Sequence, residues 1–142
     1  MASKILTIRI KMLKKFILSI VMLSSVLFAT VQHVQVTPET LKDIKVIDIR
    51  TPGEWVQTGI VKGAYTIMFF DEKGQYDVDA FLKQLNRVVK KDEKFALICR
   101  TGSRTTMISE FLANKLGYNV VNLKGGMMHL MAQGYKPTVY KK

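Results

Sequence analysis

Apolar positions recur along this 142-residue chain in two rhythms. The first is the short, nearly unbroken run. Lys45-Val-Ile-Asp-Ile49, Phe95-Ala-Leu-Ile98 and Asn119-Val-Val-Asn-Leu123 are bounded by polar residues and read as buried parallel strands. Val31, Val34 and Val36, set among polar neighbours, predict a further strand of about five residues, and Ala64–Phe69 predicts another. The second rhythm is helical. Val78, Phe81, Leu82, Leu85, Val88 and Val89 share one helix face, as do Met107, Ile108, Phe111, Leu112 and Leu116. Thr37-Pro38 predicts the cap and first position of a short helix, and Pro52-Gly-Glu-Trp55 opens another. Gly59 and Gly63 bracket a turn, Lys90–Lys94 is a charged surface connection, and Gly125-Gly126 precedes a last short helix over Met127–Ala132. Strand and helix in alternation predict an α/β sandwich around a mostly parallel sheet, one domain spanning residues 30–142.

The first 29 residues follow neither rhythm. Lys4, Arg9, Lys11, Lys14 and Lys15 come with no acid, and the uncharged apolar stretch Phe16–Ala29 follows. A basic opening and a short apolar run form the pattern of a secretory signal peptide. Fourteen helical residues would span about 21 Å, short of a ~30 Å hydrocarbon core. Ala29 suits a leader-peptidase site, although Leu27 is large for the position two before it. Met12 offers a second possible start. Residues 1–29 are therefore expected to be a cleaved leader or an uncleaved N-terminal anchor. Either places the domain beyond a membrane, in a periplasm or outside the cell.

Charge reads differently once this segment is set apart. The whole chain has 22 Lys and Arg against 11 Asp and Glu, a net +11. Five of those cations and none of the acids lie in residues 1–29, which leaves +6 for the rest. A mildly basic domain of this kind predicts small anionic ligands rather than nucleic acid. A single cysteine precludes an internal disulfide, and with only His33 and His129 beside it no metal or other cofactor is expected.

That cysteine, Cys99, directly follows the run Phe95–Ile98 and opens Cys99-Arg-Thr-Gly-Ser-Arg104, which leads into a helix. Ligands of open α/β sheets bind beyond the carboxyl ends of strands. A loop at a helix N-terminus gathers backbone N–H groups, which favour an anion. Gly102 permits the tight path, Ser103 is a candidate helix cap, and Arg100 and Arg104 add positive charge. The same features are expected to lower the thiol pKa below the free value of about 8.5.

The chain resembles the rhodanese-like sulfurtransferases over Val34–Pro137. Asp48-Ile-Arg50-Thr-Pro-Gly-Glu54-Trp55 with Gly59 and Gly63-Ala64, the loop Cys99–Arg104, and Leu123-Lys-Gly-Gly126 carry the likeness. The family's usual histidine after the first of these glycines is Ile60 here. The resemblance implies an α/β/α sandwich with a five-stranded central sheet, and sulfur transfer through a persulfide on Cys99. Arg100, Thr101, Gly102, Ser103 and Arg104 would bind the substrate, and Asp48 and Arg50 would wall the pocket or pair internally. The implied partners are thiosulfate or a similar anion as donor, and cyanide or a thiol as acceptor, acting on a monomer. Membrane contact would come only through an uncleaved leader.

Two other readings stay open. One is a cysteine phosphatase or arsenate reductase, whose loop is Cys-x5-Arg, whereas Cys99 to Arg104 is Cys-x4-Arg. The other is a non-catalytic rhodanese-like binding module. His129 and His33 are expected to carry no chemistry, and Met127, Met128 and Met131 are expected to pack.

Overall fold

The computed structural model describes residues 1–22, 29 and 31–141. The chain begins with helix α1 (Ala2–Met22). It contains the basic opening and only part of the apolar stretch. Most of the rest of Phe16–Ala29 lies outside the described residues. Among the described residues no helix is long and apolar enough to cross a membrane.

The domain then runs β1 (Val31–Gln35), a 3-10 turn (Glu39–Leu41), β2 (Lys45–Asp48), α2 (Pro52–Thr58), β3 (Tyr65–Thr66), α3 (Val78–Val88), β4 (Phe95–Ile98), α4 (Ser103–Asn114), β5 (Val120–Lys124) and α5 (Gly126–Ala132). The five strands form one sheet in the order β1-β5-β4-β2-β3, and every strand pair is parallel. Val31, Val120 and Phe95 stand side by side at the rim where these strands start, and Cys99 leaves β4 at the other rim.

Alternation along the strands builds two cores. Ile47, Phe95, Leu97, Cys99 and Val120 face Phe81 and Leu85 of α3 and Ile108 and Leu112 of α4. Val46, Ala96, Ile98, Val121 and Leu123 face Met127 and Leu130 of α5. Central strands covered on both sides favour apolar residues on both faces, and Phe95–Ile98 shows no polar interruption.

Three expectations need correction. β3 is two residues long rather than Ala64–Phe69. It is an edge strand, paired among the described residues with β2 alone. The Ile67 and Phe69 amides still donate to the Asp48 and Ile49 carbonyls, while Phe69 and Phe70 turn into an aromatic cluster with Tyr76. Thr37 does not cap a helix. Thr37 and Thr40 exchange backbone-to-hydroxyl bonds, and the segment makes a single 3-10 turn capped by Pro38. Ser103 is the first residue of α4, not its cap. Gly102 holds that position in the left-handed region.

Candidate active site

β4 delivers Cys99 to the carboxyl end of the sheet, on the face covered by α4, with no exposed surface. The loop folds back so that the Gly102 N–H donates to Cys99 Sγ at 3.1 Å. The Thr105 hydroxyl lies 3.6 Å from the same sulfur and donates to the Gly102 carbonyl at 3.1 Å. Gly102 has φ +94°, and a Cβ there would come within 2.8 Å of the Gly125 nitrogen. Only glycine meets both demands.

A second staple holds the loop from below. The first amides of α5 take its carbonyls: Met127 N–H donates to Cys99 O at 2.9 Å and Met128 N–H to Arg100 O at 3.0 Å. This approach is so close that a Cβ on Gly126 would lie 2.5 Å from Cys99 O. The Gly125-Gly126 pair is thus a part of the cysteine loop's scaffold, supplied from 26 residues further along the chain.

The two loop arginines are placed differently. Arg100 is exposed, and its guanidinium has no ion-pair partner among the described residues. Arg104 is bound bidentately by Glu54, at 2.9 and 2.7 Å. Glu54 also closes the α2 capping box with Thr51, so one carboxylate ties α2 to the active loop. Burial would raise the Glu54 pKa, but hydrogen bonds from Arg104 and Thr51 and the Arg104 and Arg50 charges outweigh it, and the net direction is down. The Arg104 pKa is raised, first by the Glu54 hydrogen bonds, which outweigh burial, and further by the Glu54 charge and by Cys99. Arg104 is therefore held in place by Glu54. Thr101 and Ser103 sit exposed on the rim, their hydroxyls 3.4 Å apart.

The family model for the rhodanese-like domain matches residues 36–133, which include all of these features. The chain belongs to the rhodanese-like domain family. Among solved structures, it is similar to a rhodanese-related protein from Thermoplasma volcanium at 24% identity and TM-score 0.57, over 75% of this chain and 98% of that one. A protein from M. tuberculosis aligns at 20% identity and TM-score 0.55, over 68% and 80% of the two chains. A rhodanese-like domain from Anabaena sp. aligns at 17% and 0.53, over 72% and 76%. At these identities the likeness is one of fold. No curated protein matches the chain.

Within this rhodanese-like domain the family's Asp-x-Arg signature has an internal task. Asp48 is 0% and Arg50 1% exposed, and they pair at 2.7 Å. Arg50 also donates to Thr58 Oγ1 and to the Gly59 carbonyl, which ties the end of β2 to the end of α2. The two side chains spend their charges on each other and on α2, not on the cysteine cradle. Ile60 stands where the family has histidine, and its backbone bridges to Thr138. Met127 is buried in the second core, whereas Met128 is exposed.

Residues that the sequence reading passed over also belong to the loop's surroundings. Asn122 on β5 is wholly buried beside α4, and Thr105 lies under the sulfur. No local pattern marks either one, since each takes its role from a neighbour in space.

Proposed function

We propose that this domain is a sulfurtransferase that carries sulfane sulfur as a persulfide on Cys99. The observation that carries the reading is the Gly102 N–H aimed at Cys99 Sγ within a six-residue cradle braced by α4 and α5. Donors fixed around a sulfur stabilise negative charge there without reorganising during reaction. A cradle one residue shorter than Cys-x5-Arg fits a sulfur atom better than a tetrahedral oxyanion.

In the first step the Cys99 sulfur attacks the sulfane sulfur of thiosulfate. The new bond is Cys99 Sγ–S, and the S–S bond of thiosulfate breaks, so sulfite leaves with the electron pair. In the second step cyanide or a thiolate attacks the outer sulfur. The persulfide bond breaks, its electron pair returns to Cys99 Sγ, and the acceptor leaves as thiocyanate or a persulfide. Arg100, free at the rim, attracts the anionic donor, while Arg104 contributes charge beside the sulfur. Thr101 and Ser103 offer hydroxyls to the donor oxygens. The chain would act as an exported monomer, with residues 1–29 as leader or anchor.

The test is thiocyanate formation from thiosulfate and cyanide by the wild-type protein, lost in Cys99→Ser. Mass spectrometry after thiosulfate treatment should show about +32 Da on Cys99. Turnover of p-nitrophenyl phosphate without thiocyanate would overturn the reading. N-terminal sequencing of the exported protein decides between leader and anchor. One observation favours a second reading, a binding module: Cys99 has no exposed surface in the resting loop. Failure of both thiocyanate formation and persulfide loading would leave that reading standing.

A further inference from the structure

His33 was expected to do nothing, and the fold puts it in a polar chain that ends at the catalytic loop. In the β1–β5 ladder His33 lies directly opposite Asn122. Asn122 is fully buried, and its Nδ2 makes two bonds: one with His33 Nδ1 and one with Thr106 Oγ1, both at 2.9 Å. The Thr106 hydroxyl donates its proton to the Gly102 carbonyl at 2.8 Å. Gly102 is the residue whose N–H meets Cys99 Sγ.

With Asn122 Nδ2 placed between His33 Nδ1 and Thr106 Oγ1, the protons of this chain run in one direction. An amide NH2 has only donors, so both of its neighbours accept. Thr106 Oγ1 accepts from Asn122, so its own proton is free for Gly102 O. His33 Nδ1 accepts, so the neutral ring carries its proton on Nε2, on the side of Glu110 Oε1 at 3.8 Å. Reversing the Asn122 amide would present an acceptor to Thr106 and draw its hydroxyl away from Gly102. A His33 ring protonated on Nε2 therefore favours the amide orientation that keeps Thr106 on the loop. The remaining amide oxygen, Asn122 Oδ1, is buried without a partner. The two bonds of Nδ2 are what hold the amide in this orientation.

We propose that His33 and Asn122 are positioning residues for the Cys99 loop, acting through the Thr106 hydroxyl on Gly102. Gly102 sits at φ +94° and is the one glycine of Cys99–Arg104. Its carbonyl receives the Thr105 hydroxyl, the Thr106 hydroxyl and the Thr106 N–H. Asn122 and His33 act on the one of these that depends on a rotatable hydroxyl they control. The rate arm of the test rests on the sulfurtransferase reading, while the spectroscopic arm does not.

The experiment compares His33→Leu, His33→Gln, Asn122→Leu, Thr106→Val and the double variant Asn122→Leu/Thr106→Val with wild type. Melting curves show that each is folded. Thiosulfate:cyanide turnover is measured in all, and backbone and imidazole 15N spectra in mildly alkaline solution. We expect Asn122→Leu and Thr106→Val each to lower kcat about fivefold, the rate equivalent of one net hydrogen bond, with KM for thiosulfate unchanged. The double variant should be no worse than either single one, because both cut the same chain. His33→Gln keeps an acceptor and should retain wild-type turnover, whereas His33→Leu should not. The Gly102 amide resonance should shift in Asn122→Leu and Thr106→Val, and the neutral His33 ring should carry its proton on Nε2. Additive losses, wild-type turnover in His33→Leu, or a proton on Nδ1 would each overturn the proposal. If wild type forms no thiocyanate, the functional reading falls and the Gly102 and His33 spectra alone decide this one.

Discussion

Replacing Gly126 with alanine tests whether α5 braces the cysteine loop. The new Cβ would lie 2.5 Å from Cys99 O, 2.6 Å from Arg100 O and 2.7 Å from Arg100 C. All three are backbone atoms, so no side chain can swing aside. Gly126 also has φ +60°, where a Cβ costs about 1–2 kcal/mol. Relieving the contacts must lengthen the Met127 and Met128 bonds to the loop, each worth about 1 kcal/mol net. The sum is about 3–4 kcal/mol, which for a domain of this size is a melting temperature roughly 15 °C lower. Gly134→Ala is the control. Its φ is +85° with nothing within 4 Å of the added Cβ, so only the backbone cost applies. Thermal unfolding by circular dichroism should separate the two variants by roughly 10 °C. Thiocyanate formation should fall about tenfold or more in Gly126→Ala and little in Gly134→Ala, since a displaced loop misplaces the sulfur. Equal melting temperatures for the two alanine variants would refute the bracing role.

Other outcomes follow from the same geometry. Arg50→Met should destabilise the fold by about 3–5 kcal/mol, because it leaves Asp48 charged and fully buried; denaturant titration measures this, and adding Asp48→Leu should recover part of the loss. The Glu54 pKa is lowered from the ordinary 4.5, so its contribution to stability is complete above that value and is lost as pH falls through the folded-state pKa. Melting temperature against pH should therefore drop less steeply below 4.5 in Glu54→Gln than in wild type. Cys99 has no exposed surface, so iodoacetamide should alkylate it far more slowly in the native protein than in urea, as followed by mass spectrometry.

The central strands could be read almost to the residue, because burial on both faces makes Phe95–Ile98 a continuous apolar run and puts Val46-Ile47 at the centre of Lys45–Asp48. The α3 helix was as plain, since Phe81 and Leu85 recur at helical spacing against the core. β3 was overestimated because apolar residues continue to Phe70, whereas the regular ladder ends at Thr66 and only the Ile67 and Phe69 amides reach on to Asp48 and Ile49. At the site, Cys99 and its loop were legible because they are contiguous. The Glu54–Arg104 pair spans 50 residues and the Asn122–His33 pair 89, and sequence spacing carries no trace of such meetings. His33 carries no local signal; the register of β1 on β5 is what sets it against Asn122.

The common direction of the strands also separates the thiol from the point where the chain enters the sheet. Val31, where the chain enters the sheet, is level with Phe95, and Cys99 lies four residues beyond, about 13 Å away at the far rim. If residues 1–29 tether the domain to a bilayer, the tether joins the sheet at the rim opposite Cys99. On the sulfurtransferase reading, such a tether leaves the sulfur-carrying end of the sheet free for acceptors in solution.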